Sequence, residues 1–394
     1  MKVLLSAYAC LPGLGSEPAV GWETLRAAAR CHEVWLLTQP PMARAVTRAL
    51  QGSPLAERVT VVPVEPPAAP RGRGLAGLLR EQWRHDRWQR RAARVAVALD
   101  RAVDVDVVHH VTLAAYWMRT GVAAVPKPLV WGPVGGGVQP PLGLLAQTGV
   151  RGVAEDALRA VVRAAGGATA RRRTAPRAAV TLVQNAATAR LLRGVGEVRV
   201  LCNALAVPLP AVAPSGPRRR DVVVVGRLIG WKGVRLAVRA FRHVSHPDAV
   251  LRLFGEGPEH AAVLRAARRW GVADRVVVEG TVPRARLLDE VARAGALLHP
   301  ALHEEGGMAV AEALALRTPV VCLRHGGPAA LVEQWPDSPA RLVVPTRPEE
   351  TARALAAALD DVLADPGPVA DAPVPPKTSY ADAVLDAYER ATAG

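Results

Sequence analysis

Two stretches of the sequence gather residue types that can hold phosphate and sugar. The first is Gly226-Arg227-Leu228-Ile229-Gly230-Trp231-Lys232-Gly233, in which two cations are framed by glycines. Gly226 and Gly230 let the backbone come close to a ligand. Arg227 and Lys232 add positive charge where a strand meets a helix, and a helix N-terminus is itself an anion site. A diphosphate would satisfy all of these groups. An Arg and a Lys on a solvated turn would account for the charges but not for their place at a strand-to-helix turn.

The second stretch is His303-Glu304-Glu305-Gly306-Gly307-Met308-Ala309-Val310-Ala311-Glu312. Glu304 falls in a loop after a strand, and Glu312 a turn or so into the helix that follows. Gly306 and Gly307, leading into Met308 and Ala309, free backbone N–H groups at the helix start for a phosphate or sugar oxygen. A carboxylate accepts well from the vicinal hydroxyls of a sugar or ribose. Ordinary helix-start charge explains one glutamate, but not two with a Gly-Gly between them.

Other features carry less. Asp104-Val105-Asp106 has the spacing of a metal-binding D-x-D, yet it precedes a strand, where Asp commonly marks the entry, and no metal is assigned to it. Gly13-Leu14-Gly15 and Gly135-Gly136-Gly137 lack the G-x-G-x-x-G spacing of a dinucleotide loop. His85 and His260 read as surface residues. Cys10, Cys31, Cys202 and Cys322 show no paired spacing, and read as reduced, mostly buried thiols of a cytoplasmic protein.

The elements that must position these residues follow from periodicity. Short β-branched runs alternate with longer Ala/Leu/Arg runs of helical period, which predicts βαβ units and parallel sheets. In the first half, strands fit 2–8, 33–38, 59–64, 105–111, 128–134, 178–184 and 198–202. Helices fit 19–30, 41–50, 75–100, 153–173 and 186–194. Pro208, Pro210, Pro214 and Pro217, with Arg218-Arg219-Arg220, predict a linker over 206–220. The alternation restarts with strands at 222–225, 249–254, 275–279, 296–299, 319–323 and 341–344. Helices there fit 232–243, 258–270, 284–294, 308–316 and 348–364, and a last helix fits 379–392. The expected organisation is an α/β chain with a Rossmann-like domain over 1–205, the linker, and a second Rossmann-like domain over 221–365. A Pro-rich segment and final helix fill 366–394. The two parallel sheets would face each other across a cleft, with ligands at the carboxyl ends of the strands.

With these elements assigned, a family resemblance can be stated. The Val225–Gly233 turn, the Glu304–Glu312 pair and Thr318-Pro319-Val320-Val321 resemble the retaining GT-B glycosyltransferases of family 4 (glycosyl transferases group 1). The likeness extends to Gly255-Glu256-Gly257-Pro258, Val278-Glu279-Gly280-Thr281-Val282, the Gly15–Trp22 segment, Asp106-Val107-Val108-His109 and Trp131–Gly137. The resemblance implies a donor diphosphate gripped by Arg227 and Lys232, with Glu304 on the transferred sugar and Glu312 on the ribose. It implies a base read near Val282, and Gly13, Gly15 and Ser16 closing on the phosphate. Gly226, Gly255, Gly306, Gly307, Met308 and Ala309 would complete the donor site. The active-site histidine is left between His109 and His110, because the segment departs from the family's usual pattern there. Thr112, Trp117, Gly135 and Gly136 would lie on the acceptor side. The last helix would brace the N-terminal domain.

The function implied is metal-independent transfer, with retention, from a nucleotide-diphosphate sugar, UDP-linked by preference, to an acceptor hydroxyl. No cofactor is expected. The acceptor is either a lipid-linked or cell-envelope saccharide, or a secondary metabolite such as an aminocyclitol antibiotic core. A sugar-nucleotide epimerase or phosphorylase on the same fold is the alternative.

Bulk properties fit this reading. At 394 residues with half of them apolar, the chain can bury two cores. Its net charge of +15 suits nucleic acid, anionic lipid or a phosphorylated substrate, but a GC-rich genome also writes Arg-, Ala- and Pro-rich chains. No nucleic-acid motif appears, and Phe241 and Phe254 are the only phenylalanines, so a base-stacking platform is not expected. The run from Arg71 to Arg94 interleaves arginines with Trp83 and Trp88 and could touch an anionic membrane at the inner face. The reading adopted is a domain helix with its arginines in water. The apolar N-terminus reads as a first strand rather than a signal peptide, and no stretch approaches a membrane span.

Overall fold

The computed structural model describes residues 1–13, 17–68, 75–113, 115–206, 208, 217–369 and 372–393. In chain order the elements are β1 (Lys2–Ala7), α1 (Glu17–Ala29), β2 (Glu33–Thr38), α2 (Pro40–Leu50), β3 (Val59–Pro63), α3 (Leu75–Val103), β4 (Val107–Thr112) and β5 (Leu129–Val134). There follow α4 (Gly149–Arg173), β6 (Ala178–Val183), α5 (Ala186–Leu191), β7 (Glu197–Val200), β8 (Val222–Val225), α6 (Val234–Phe241), β9 (Leu251–Phe254) and α7 (His260–Arg269). The last are β10 (Val276–Gly280), α8 (Arg284–Arg293), β11 (Ala296–His299), α9 (Met308–Ala315), β12 (Val320–Leu323), α10 (Gly326–Val332), β13 (Ala340–Val343), α11 (Pro348–Ala364) and α12 (Tyr380–Ala393).

These elements form two compact units. The first comprises Met1–Gly137, Leu158–Val207 and Thr378–Gly394, and the second Val138–Ala157 and Pro208–Lys377. The first holds a parallel sheet in the order β3-β2-β1-β4-β5-β6-β7. β4 and β5 are buried along their whole length. That is the expected state of central parallel strands covered on both faces, and it is why β5 runs apolar without alternation, while β4 carries His109, His110 and Thr112 inside the core. Leu4, Trp88, Val108 and Trp131 lie in one core cluster, and α12 packs on α1 and on β4, β5 and β6.

The second unit holds a parallel sheet in the order β10-β9-β8-β11-β12-β13. α6 and α11 pack together over it, and Phe241, Leu253, Leu298 and Leu359 lie in its core. In each sheet the chain moves outward from one strand and then jumps to the other side of it. The reversal falls between β1 and β4 in the first unit, and between β8 and β11 in the second. Such switch points open a crevice at the carboxyl ends of the strands.

Three features differ from the sequence reading. α10 was not anticipated: it is seven residues long and begins Gly326-Gly327-Pro328, too short and too irregular at its start to show a helical period. Residues 217–220 are not a free tether. Pro217 bridges to Pro368, and Arg218 donates to the Ala292 and Arg317 carbonyls and to the Thr318 hydroxyl. Burial lowers the Arg218 pKa to about 10. His85 is buried rather than on the surface, with its ring edge-on to Tyr8 and Nε2 3.1 Å from Gln89.

Candidate functional site

The two charged stretches meet at the switch point of the second unit. After β8, Gly226 takes φ +139°, and its N–H donates to the Phe254 carbonyl at 3.0 Å. Leu228 N donates to Glu256 O at 2.8 Å, and Leu228 O accepts from Glu259 N at 3.0 Å. A side chain at Gly255 would sit 2.1 Å from the Gly226 carbonyl. The turns after β8 and β9 are therefore bound backbone to backbone, and only glycine fits at that contact. The chain then makes a short 3-10 turn, Gly230–Lys232, and enters α6 through Gly233 at φ +70°.

The loop after β11 comes up beside this turn. Leu302 N donates to the Trp231 carbonyl at 2.8 Å. Lys232 Nζ forms a short ion pair with Glu304 Oε2, and His299 Nε2 lies 3.4 Å from the same oxygen. Burial works to raise the Glu304 pKa, but His299 and Lys232 overrule it and hold the carboxyl at about 2. Glu304 is thus ionised and fixed. The stem of Lys232 passes about 4 Å from where a Gly226 side chain would begin. Arg227 is exposed and has no partner among the described residues. Gly306 and Gly307 are buried, and Gly307 takes φ +105° to lead into α9, whose first residues Met308 and Ala309 are half-buried. The positive end of the α9 dipole thus lies directly beyond the Glu304 loop.

Glu312 stands on the inner side of α9. It is 7 % exposed, and its Oε1 lies 2.5 Å from Arg284 Nη1. Burial raises its pKa, against the opposing pull of Arg284. Val282 lies half-buried between β10 and α8, two residues before Arg284. The second unit therefore brings Gly226, Arg227, Lys232, Gly255, Glu304, Gly306, Gly307, Met308, Ala309, Glu312 and Val282 to the carboxyl edge of one sheet and the helix starts beyond it. A pair of cations, an ionised carboxylate and a helix start can hold an anion that carries hydroxyl groups beside it.

In the first unit the candidates are differently placed. His109 on β4 is fully buried, with Nδ1 2.8 Å from the Tyr388 hydroxyl and Nε2 2.8 Å from the Gly132 carbonyl. A carbonyl only accepts, so Nε2 carries the proton and Tyr388 donates to Nδ1. Burial holds the His109 pKa down at about 4 and that of His110 at about 3. Both rings are neutral groups buried in the first unit's sheet. Thr112 is also fully buried, its hydroxyl accepting from Ala9 N at 3.0 Å. Trp117 is half-buried and packs on Gly136, where a Cβ would lie 2.1 Å from its ring, and Gly135 accepts from Tyr116 N at 3.0 Å. Gly13 is exposed at φ +73°. Gly15 and Ser16 lie outside the described residues. Asp104 pairs with Lys127 at 2.5 Å, and Asp106 accepts from Lys2 N at 2.7 Å, so both are tied at strand entries.

Four contributors were missing from the sequence reading. His299 and Arg284 partner the two glutamates. Glu305 accepts from Val138 N at 3.0 Å, and Thr148 approaches Gly230 so closely that a Cβ there would lie 2.0 Å from its carbonyl. All but the His299–Glu304 contact join residues far apart in sequence. The strand-end position of His299, five residues before Glu304, was the one signal available.

Known proteins resemble this chain in its fold and in the sequence of its second unit. Residues 209–371 match the family model described as Glycosyl transferases group 1, a range that spans every strand of the second unit. The chain is 33% identical over 147 residues to the 2-deoxystreptamine glucosyltransferase of Streptomyces kanamyceticus, covering 37% of this chain and 36% of that protein. The match thus spans little more than a third of that relative's length. The whole chain superposes on the sucrose-phosphate synthase of Thermosynechococcus elongatus with a TM-score of 0.56 at 19% identity, covering 100% of this chain and 94% of that one. It superposes on Anabaena HepE, solved in complex with UDP, with a TM-score of 0.55 at 17% identity, covering 99% and 95%. The two Rossmann-like parallel-sheet units have the GT-B fold, and the glycosyl transferases group 1 match falls on residues 209–371 of the second.

Proposed function

We propose that the protein transfers a sugar from a nucleotide-diphosphate donor to an acceptor hydroxyl, with retention at the sugar carbon and without a metal. The observation that carries this reading is the Lys232–Glu304 pair at the switch point of the second unit, beside the uncommitted Arg227. Breaking the bond between the sugar and its phosphate places negative charge on the departing diphosphate and positive charge on the sugar. Arg227, Lys232 and the amino end of α9 stabilise the diphosphate, the work a metal does elsewhere. Glu304, held ionised, faces the sugar and accepts from its hydroxyls, while Glu312 holds the ribose. The new bond forms on the face the diphosphate leaves, and the acceptor's proton passes to the departing phosphate oxygen. No protein nucleophile takes part.

UDP is the first donor nucleotide to try, because a protein of the same fold was solved with it. The acceptor we favour is an aminocyclitol, on the strength of the Streptomyces kanamyceticus relative. The decisive assay incubates UDP-sugars with and without 2-deoxystreptamine, in the presence of EDTA, and follows products by mass spectrometry. A glycosylated aminocyclitol is expected. Sugar isomerised without acceptor would mean an epimerase, and turnover lost in chelator but restored by Mg²⁺ would refute metal independence. The two carboxylates are told apart by kinetics and calorimetry. Glu304→Gln should lower kcat and kcat/KM together and spare UDP affinity, whereas Glu312→Gln should weaken UDP itself. The opposite result would reverse the two roles.

A further inference from the structure

The first unit contains a cavity of about 530 Å³ walled by α3, the segment after β4 and the approach to β6. None of the residues read above as holding the donor lines it. Its volume falls in the range of small-molecule pockets. Arg90 and Arg94 of α3 line it, together with Arg119 and Arg177, and Asp86 is the one carboxylate among the lining residues. Asp86 is shared, 2.9 Å from Arg90 Nε and 2.7 Å from Arg119 Nε. It neutralises one of four guanidiniums and holds two of them in place. Arg177 is steadied by its bond to the Val125 carbonyl at 3.2 Å. Arg94 is exposed and has no partner among the described residues.

The wall is also rich in unspent donors. Thr120 is 6 % exposed, and neither its hydroxyl nor the Trp117 indole nitrogen has a hydrogen-bond partner among the described residues. Buried polar groups are ordinarily satisfied. A surplus of guanidiniums over carboxylates around one half-open cavity suits an anion with many acceptor oxygens. Arginine's planar fork matches phosphate in particular.

We propose that this cavity binds a phosphate monoester or diester group, independently of the transfer reaction assigned to the second unit. The group has two sources, a soluble sugar phosphate or a phospholipid headgroup presented to α3. Calorimetry with glucose 1-phosphate and with inorganic phosphate tests the first. Co-sedimentation with phosphatidylcholine vesicles, with and without phosphatidylglycerol, tests the second. Binding in at least one arm is expected. Arg94→Gln and Arg177→Gln should each weaken it about tenfold, as the loss of one charge-assisted contact. UDP affinity, read on the same variants, should stay unchanged, and denaturation followed by the fluorescence of Trp88 and Trp131 in the first unit serves as the check on folding. Failure of all the phosphate probes, binding to nucleic acid alone, or equal affinity in wild type and both variants would overturn the proposal.

Discussion

The two switch points share a topology and differ in what fills them. In the second unit the loops after the two flanking strands are joined by charge, Lys232 to Glu304, with Arg227 left over. In the first unit the same two loops are joined by hydrogen bonds to backbone. Glu17 accepts from Leu113 N at 3.1 Å, and Thr112 accepts from Ala9 N. Beneath them lie His109 and His110, neutral and buried. The repeated fold supplies two crevices, and among the described residues the loops of the second are the ones that bring fixed cations to its edge.

Acid should separate the two units most sharply. His109 is held at about 4 and His110 at about 3, against an ordinary 6.5. As pH falls below 6.5 the unfolded chain takes protons that the folded rings refuse. The stability these histidines contribute is therefore full above 6.5 and is lost as pH falls toward those values, by roughly 3 kcal/mol for His109 and roughly 5 kcal/mol for His110. Glu304 works in a lower window. Its contribution is full above 4.5 and lost as pH falls toward about 2. Hydrogen exchange on β4 and on the β11–α9 segment, followed from neutral pH downward, should show β4 opening first. Opening of β11–α9 before β4 would break the contrast.

Replacing the cation should come next in size. Lys232→Ala is expected to weaken UDP by about 1.5–3 kcal/mol, the worth of a charge-assisted contact, while Glu17→Gln leaves UDP affinity unchanged. Calorimetry on both variants checks this, and equal affinity of Lys232→Ala and wild type would remove the charge argument. A smaller effect is expected from Tyr388→Phe, which leaves His109 Nδ1 buried without its donor. The first unit should lose about 1–3 kcal/mol, seen in denaturation followed by the fluorescence of the buried Trp88 and Trp131. UDP binding by the second unit should be untouched.

Most of the fold was legible because parallel strands buried on both faces are mostly apolar, as in Val222-Val223-Val224-Val225. The charged loops were legible for a related reason, since cations, carboxylates and paired glycines have little cause to gather after a strand unless backbone and ligand meet there. What could not be read was partnership across the chain. Nothing near His109 announces Tyr388, and nothing near Glu312 announces Arg284. His85 looked like a surface residue because helical period alone does not say which face meets Tyr8. The seven-residue α10 escaped because its opening glycines are chosen for close approach to the Glu304 and Glu305 carbonyls, not for helix propensity.

The return of α12 to the first unit has a consequence for the order in which the protein is made. His109 waits for a hydroxyl that is 279 positions later in the chain. At roughly 5–20 residues per second of synthesis, the first sheet stands for on the order of half a minute with one flank of β4, β5 and β6 uncovered. During that interval the whole second unit emerges from the ribosome and can close on its own core. The unit begun first is then the unit finished last, and a nascent chain arrested before Tyr388 should be held by chaperones through its N-terminal half.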